Sequence, residues 1–424
     1  MKKILSCSAC FLVAITSLIN LSGCSNNSKS TENKSDTLSK ANLTLPAGFT
    51  ATIVADSLGP VRHLAINKQG DIYVKLNALK EGKGIYFLSS ANHDGKIDQK
   101  SGFGNYPGTG ILIKDNELYA TSNSGVFRYK LDDKGMVTDT GKPETIVQGL
   151  LDKNRDNSKS IAIDDQNDLF VTIGSYSDDC RQKDSGKGIP GCPIRDSAAG
   201  VWEFKTNKLN QGYSDAIHYA TGLKNVVGIN WNSDAKALFA VQHGRGKFDD
   251  RFPQYYTAQQ SAELPAETMY ELMKGDDAGW PFIYYDQLQK KKILAPEYGG
   301  NGKIEGDKKY INPVVAFPGH LGPDDLLFYT GNMFPEKYKN GAFIVFHGQS
   351  TTLKKGYFVA FVPFKDGKPA GNWEIFADNF AGFDLAKPKC PLQHRPMGLA
   401  QGPDGALYVA DDLKGTIFRI SYSK

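Results

Sequence analysis

Three things are scarce in this chain of 424 residues: cysteine, net charge and, beyond its leading segment, any long apolar run. No stretch after Leu21 is long enough to cross a bilayer as a helix, which excludes a helical membrane-spanning body. The 50 basic residues against 46 acidic ones form no basic stripe, so nucleic acid is not an expected partner. The seven histidines lack the short spacing of a zinc site on one element. No serine stands in a GxSxG-type elbow, so a triad hydrolase finds no support.

What is present begins with Lys2 and Lys3 ahead of the apolar run Ile4–Leu21, which ends in Leu21-Ser22-Gly23-Cys24. Small residues before a cysteine make this a bacterial lipoprotein signal, with residues 1–23 removed and Cys24 lipidated. An ordinary secretory signal with an incidental cysteine is the competing reading. Residues 24–41 are polar and form a flexible tether, leaving 42–424 as the folded body. The expected location is the cell envelope, anchored through lipid; with two membranes present, Ser25 after Cys24 suits the outer one. Disulfides persist there. Cys180 and Cys192 bracket a Gly-, Lys- and Asp-rich loop and are expected to pair, two buried thiols being the alternative; the partner of Cys390 stays open.

Within the body one phrase returns: HLAINKQGDIYV from His63, GILIKDNELYATS from Gly110, SIAIDDQNDLFV from Ser160, GINWNSDAKALFAV from Gly228 and GLAQGPDGALYV from Gly398. A weaker copy starts at Asp325. Each alternates apolar and polar residues, turns on Asn, Asp or Gly, and alternates again, which is a β-hairpin. Hairpins recurring roughly every 50 residues bury their apolar faces only by stacking in a ring, so an all-β, six-bladed β-propeller is predicted. The wider gap between the fourth and fifth copies predicts an insertion near 245–320, with helical character at Pro265–Lys274. Ring closure is expected from pairing of Phe49–Val54 with Leu407–Ile420.

The stretches LPAGFTATIVAD, ATGLKNVVGINW, QHGRGKFDD, ELPAETMYELMKGDDAGWP, FYTGNMFPEKYKNGAFIVFHG and HRPMGLAQGPDGALYVADD together resemble the glucose/sorbosone dehydrogenase family over residues 44–421. The resemblance implies a sugar or polyol oxidoreductase using pyrroloquinoline quinone (PQQ) and calcium, with a small sugar as substrate and an external electron acceptor. A tricarboxylate quinone calls for several cations, a calcium ion for hard oxygen ligands, and hydride loss from carbon for a base at the hydroxyl. By resemblance Lys224 and Asn225 stand where an Arg-Asn pair holds the cofactor, and Lys159 and Arg395 also contact it. Gly244 and Arg245 match the segment whose carbonyls bind calcium. The family's proton-accepting histidine is missing; Asp156 occupies its place and becomes the expected base. The other readings are a non-catalytic sugar- or cofactor-binding propeller and a calcium-dependent lactone hydrolase.

Three further features have local readings. Asn92–Asp98 resembles a calcium loop without its terminal glutamate and is better read as a turn. Asp276 and Asp277 in GDDAGWP are turn formers or calcium ligands, with Trp280 as sugar platform or blade packing. His320 and His347 are read as mouth-lining or hydrogen-bonded turn residues.

Overall fold

A computed structural model of the protein describes residues 39–90, 97–387 and 390–423. The signal segment, most of the tether and the Asn92–Lys96 part of the acidic loop lie outside these residues. The rest forms six sheets, each built on four antiparallel strands, plus two small two-stranded sheets. This is a six-bladed β-propeller. The first strands of blades I to VI are Val61–Ile66, Ile111–Lys114, Ile161–Ile163, Asn225–Asn232, Pro323–Phe328 and Pro396–Gln401. Each belongs to one of the six repeated hairpins, and neighbouring first strands pack together around the central channel.

Crowding at the axis explains two glycines that open repeats. A Cβ on Gly228 would lie 2.7 Å from the Asp325 backbone, and one on Gly398 2.3 Å from the Arg62 carbonyl. Between the blades, alternating side chains build clusters such as Phe239, Leu326, Ile344 and Phe346. The ring closes as the sequence predicts: Phe49–Ala55 pairs antiparallel with Ile417–Tyr422, Phe49 opposite Tyr422. Ser39–Lys40 adds a further strand outside it, so the sheet begins ahead of residue 42.

The extra chain between the fourth and fifth hairpins falls into two excursions of blade IV, 244–266 and 273–314. They surround its third strand, Glu267–Leu272, and precede its fourth, Val315–Phe317. The helix lies at Ala258–Glu263, where Thr257 and Gln260 form a capping box, and not at Pro265–Lys274. The latter segment contains that third strand, paired on both sides, so sheet pairing overrides local helical preference. The disulfide Cys180–Cys192 forms as expected.

Candidate active site

The chemistry gathers where the first strands enter the ring. In blades I, IV, V and VI the register slips near that end, between Val61 and Leu64, Val226 and Gly228, Pro323 and Asp325, and Pro396 and Gly398. Such bulges re-aim side chains at a rim. In blades I and V they fall at Arg62, His63 and Asp324, and both Arg62 and His63 reach Asp324 at the channel mouth.

Asp324 is the buried centre of this group, with its side chain 3% exposed. His243 Nε2 lies 2.7 Å from its Oδ1, His347 Nδ1 3.4 Å and Arg62 3.9 Å from its Oδ2. His63 Nε2 meets its carbonyl oxygen at 2.9 Å. Burial pushes the carboxyl up, but His347, His243 and Arg62 overcome it and hold Asp324 well below the usual carboxylate range. Burial lowers the pKa of His243 too, yet Asp324 outweighs it and the net shift is upward. His347 moves the other way, because its own burial outweighs Asp324 and Asp412. Burial thus favours its neutral imidazole, and its buried Nδ1, 3.4 Å from Asp324 Oδ2, makes no hydrogen bond. Beside it Arg395 grips Asp412 with two bonds, of 2.7 and 3.0 Å.

Across the mouth, Lys224 Nζ donates to Asp156 Oδ2 at 3.0 Å and lies 3.5 Å from Asp178 Oδ1. Asp178 also accepts the Gly246 N–H at 3.0 Å. Burial raises Asp178, but Lys224, that N–H, Arg245 and Arg155 together leave it below the usual range. Asp156 has a φ of 43°, a left-handed conformation that aspartate tolerates better than most residues. Lys159, 1% exposed, donates to the Asn157 carbonyl at 2.8 Å, and burial pulls its pKa down to about 8.

The sequence-derived residues thus reach the mouth but divide into groups. Asp156 and Lys224 form one ion pair. Asn225 is buried beside them, its Oδ1 unpartnered. Arg395 stands with blades V and VI. The Gly244 N–H donates to Glu267 at 2.8 Å, and among the described residues no hydrogen bond is accepted by the Gly244 or Arg245 carbonyl. The Arg245 side chain is committed to Glu297 and Asp179. Asp277 is likewise committed, to Arg195 at 2.5 Å, and Asp276 bonds the Met273 N–H, so GDDAGWP is a strap between blades III and IV. Trp280 is 6% exposed, packs near the disulfide and donates to the Asp178 carbonyl at 3.0 Å. His320 is a hydrogen-bonded turn residue, 2.7 Å from the Ser261 carbonyl oxygen.

Arg62, His63, His243, Asp324 and Asp412 were not singled out from the sequence. The available cue was the acidic pair Asp324-Asp325 opening a strand that should alternate.

A cofactor of the implied kind meets a donor set that suits it. Three cations, Arg62, Lys224 and Arg395, lie around the Asp324 group, while Lys159 is fully buried. The unpartnered Asn225 Oδ1 and the Gly244 and Arg245 carbonyls are hard oxygens of the type calcium takes. Among the described residues no cluster of three or more His, Cys, Asp or Glu side chains is arranged to hold a metal, so carbonyl and amide oxygens would have to supply its ligands.

A family model described as TrAA12-like matches residues 43–282 and 293–423, nearly the whole propeller. The chain belongs to the TrAA12-like family. An uncharacterized protein of Borreliella burgdorferi is 24% identical over 394 residues, covering 90% of this chain and 91% of that protein. Among solved structures, the carbohydrate-active enzyme family AA12 protein of Trichoderma reesei has a TM-score of 0.72 at 17% identity, covering 93% of this chain and 100% of that one. The holo form of the pyranose dehydrogenase PQQ domain from Coprinopsis cinerea has a TM-score of 0.69 at 19% identity, covering 89% and 97%. The likeness to six-bladed sugar dehydrogenases read from the sequence is borne out, and the family match runs over nearly all of this TrAA12-like propeller.

Proposed function

We propose that this TrAA12-like protein is a sugar oxidoreductase using PQQ and calcium, held at the cell envelope by the lipid on Cys24. The observation that carries this reading is the mouth itself: cations from blades I, IV and VI stand around oxygen and nitrogen acceptors left without partners. The names of its neighbours, a carbohydrate-active enzyme and a pyranose dehydrogenase PQQ domain, support it. When bound, the quinone would supply a two-electron acceptor for hydride from the substrate carbon. Lys224, Lys159, Asn225 and Arg395 would hold it, and the Gly244 and Arg245 carbonyls would face calcium.

The chain must then take a proton from the substrate hydroxyl. Asp156, in the place of the family histidine, is already bonded to Lys224. A carboxylate so engaged is a weaker acceptor than a neutral imidazole. His347 from blade V offers that imidazole: Asp324 Oδ2, 3.4 Å from its Nδ1, would stabilise the imidazolium, and Nε2 would be the nitrogen that accepts the proton. In this reading His347 accepts the proton and Asp156 orients Lys224. His347→Asn should reduce kcat at least 100-fold with quinone affinity kept, and Asp156→Asn should weaken quinone binding. Loss of turnover in Asp156→Asn alone, with His347→Asn active, would give Asp156 the base's role. Because burial holds His347 low, the acid limb of kcat/KM should have its midpoint below the ordinary imidazole value of about 6.5.

One observation favours a non-catalytic binding propeller: Arg395 and Lys224 are already matched to Asp412 and Asp156, so an entering anion must share or displace those partners. Binding of PQQ without turnover of any aldose would establish that reading. A lactonase would need converging acidic ligands, and among the described residues no such set occurs.

A further inference from the structure

Beside the mouth, between blades I and II, lies a cavity of about 640 Å³ that no step above uses. Its floor is aromatic: the Tyr106 and Phe127 rings are 4.6 Å apart, inclined at 39°, and both remain half-buried rather than sealed in the core. Asn105, Asn123 and Asp152 stand around it. Tyr106 Oη and Tyr129 Oη are 2.9 Å apart. Two hydroxyls in one bond use only one of their two hydrogens. Among the described residues neither has another partner, so one O–H stays free to donate.

Charge in the cavity is balanced, Lys83 against Asp152, which argues for a neutral ligand. An aromatic surface ringed by amides, a hydroxyl donor and a carboxylate matches the two sides of a sugar ring, its C–H face and its hydroxyl edge. A buried cation braces the floor of the cavity, and a shared wall ties the cavity to the site. The platform is braced by Lys75, fully buried, whose Nζ donates 2.6 Å to the Tyr106 carbonyl and 3.1 Å to that of Gly84. The wall is shared, because Asp152 Oδ1 accepts from Asn157 Nδ2 at 3.1 Å and Asn157 follows Asp156, the partner of Lys224 at the mouth.

We infer that this groove holds further sugar units of an oligosaccharide whose terminal unit enters the channel mouth, so that the substrate class is a saccharide chain rather than a free monosaccharide. The inference deepens the oxidoreductase reading and rests on it.

Binding can be measured without turnover, by calorimetric titration of the purified protein with maltotriose, cellotriose and glucose, no quinone or acceptor being present. One trisaccharide should bind at least tenfold more tightly than glucose. In Phe127→Ala, and in the more surface-placed Asn123→Ala, that ratio should fall towards one with the melting temperature little changed. Equal affinities in the unaltered protein, no binding of either trisaccharide, or a preference surviving both substitutions would overturn the inference. Glucose turnover with no trisaccharide preference would remove the groove and leave the oxidoreductase. A trisaccharide preference with no aldose oxidised, PQQ and calcium supplied, would remove the oxidoreductase and leave the groove as a saccharide site.

Discussion

Among the described residues Lys75 and Lys159 are buried without an ion pair, and burial alone pulls Lys75 down to a pKa of about 7. An unfolded lysine titrates near 10.4, so between about 7 and 10.4 the unfolded chain binds a proton that the folded chain does not. Stability from this residue is therefore lowest below pH 7 and rises with pH across that window, by about 1 kcal/mol per pH unit. Lys75→Met removes the titration. Urea unfolding between pH 7.5 and 10 should show a flatter rise in the variant than in the unaltered protein, and parallel curves would contradict the assignment. The same physics limits what can be read from sequence at this scale. Lys224, Asn225 and Arg395 could be placed at the mouth from the motifs around them. The Asp324 group could not, because His243, His347 and Arg62 come from three different blades and meet only once the ring closes.

At the scale of the element, the hairpins were legible because alternation and turn residues are local signals, and each of the six copies became the inner half of a blade. The bulges were not, since one added residue at a strand entrance leaves no compositional mark. Nor was the third strand of blade IV, whose partners on either side lie in distant sequence. The loop between Cys180 and Cys192 has Cys180, Ile189 and Cys192 as its apolar anchors, and its bridge spans a separation of 12 residues. Closing a loop of that size stabilises by roughly 3 kcal/mol through the unfolded chain. The double variant Cys180→Ser, Cys192→Ser should lower the unfolding free energy by about that amount, and an unchanged denaturation midpoint would show that the bridge adds nothing.

For the whole molecule, the ring depends on its closing strand, and Phe49 is the anchor of that closure. Its ring meets Phe334 at 4.8 Å, Tyr422 at 4.9 Å and Phe376 at 5.0 Å, joining blade V to blade VI. Phe49→Ala should cost about 3 to 5 kcal/mol, and a loss under about 1 kcal/mol would show that closure does not rest on this cluster. The closed ring in turn fixes the distances among cations from three blades, which is why the site's chemistry belongs to the whole and not to any motif. The most direct test of the central claim is titration of the purified protein with PQQ, with and without calcium, followed by a panel of aldoses and an artificial electron acceptor. Calcium-dependent binding followed by aldose oxidation is the predicted result; absence of PQQ binding under both conditions would contradict it.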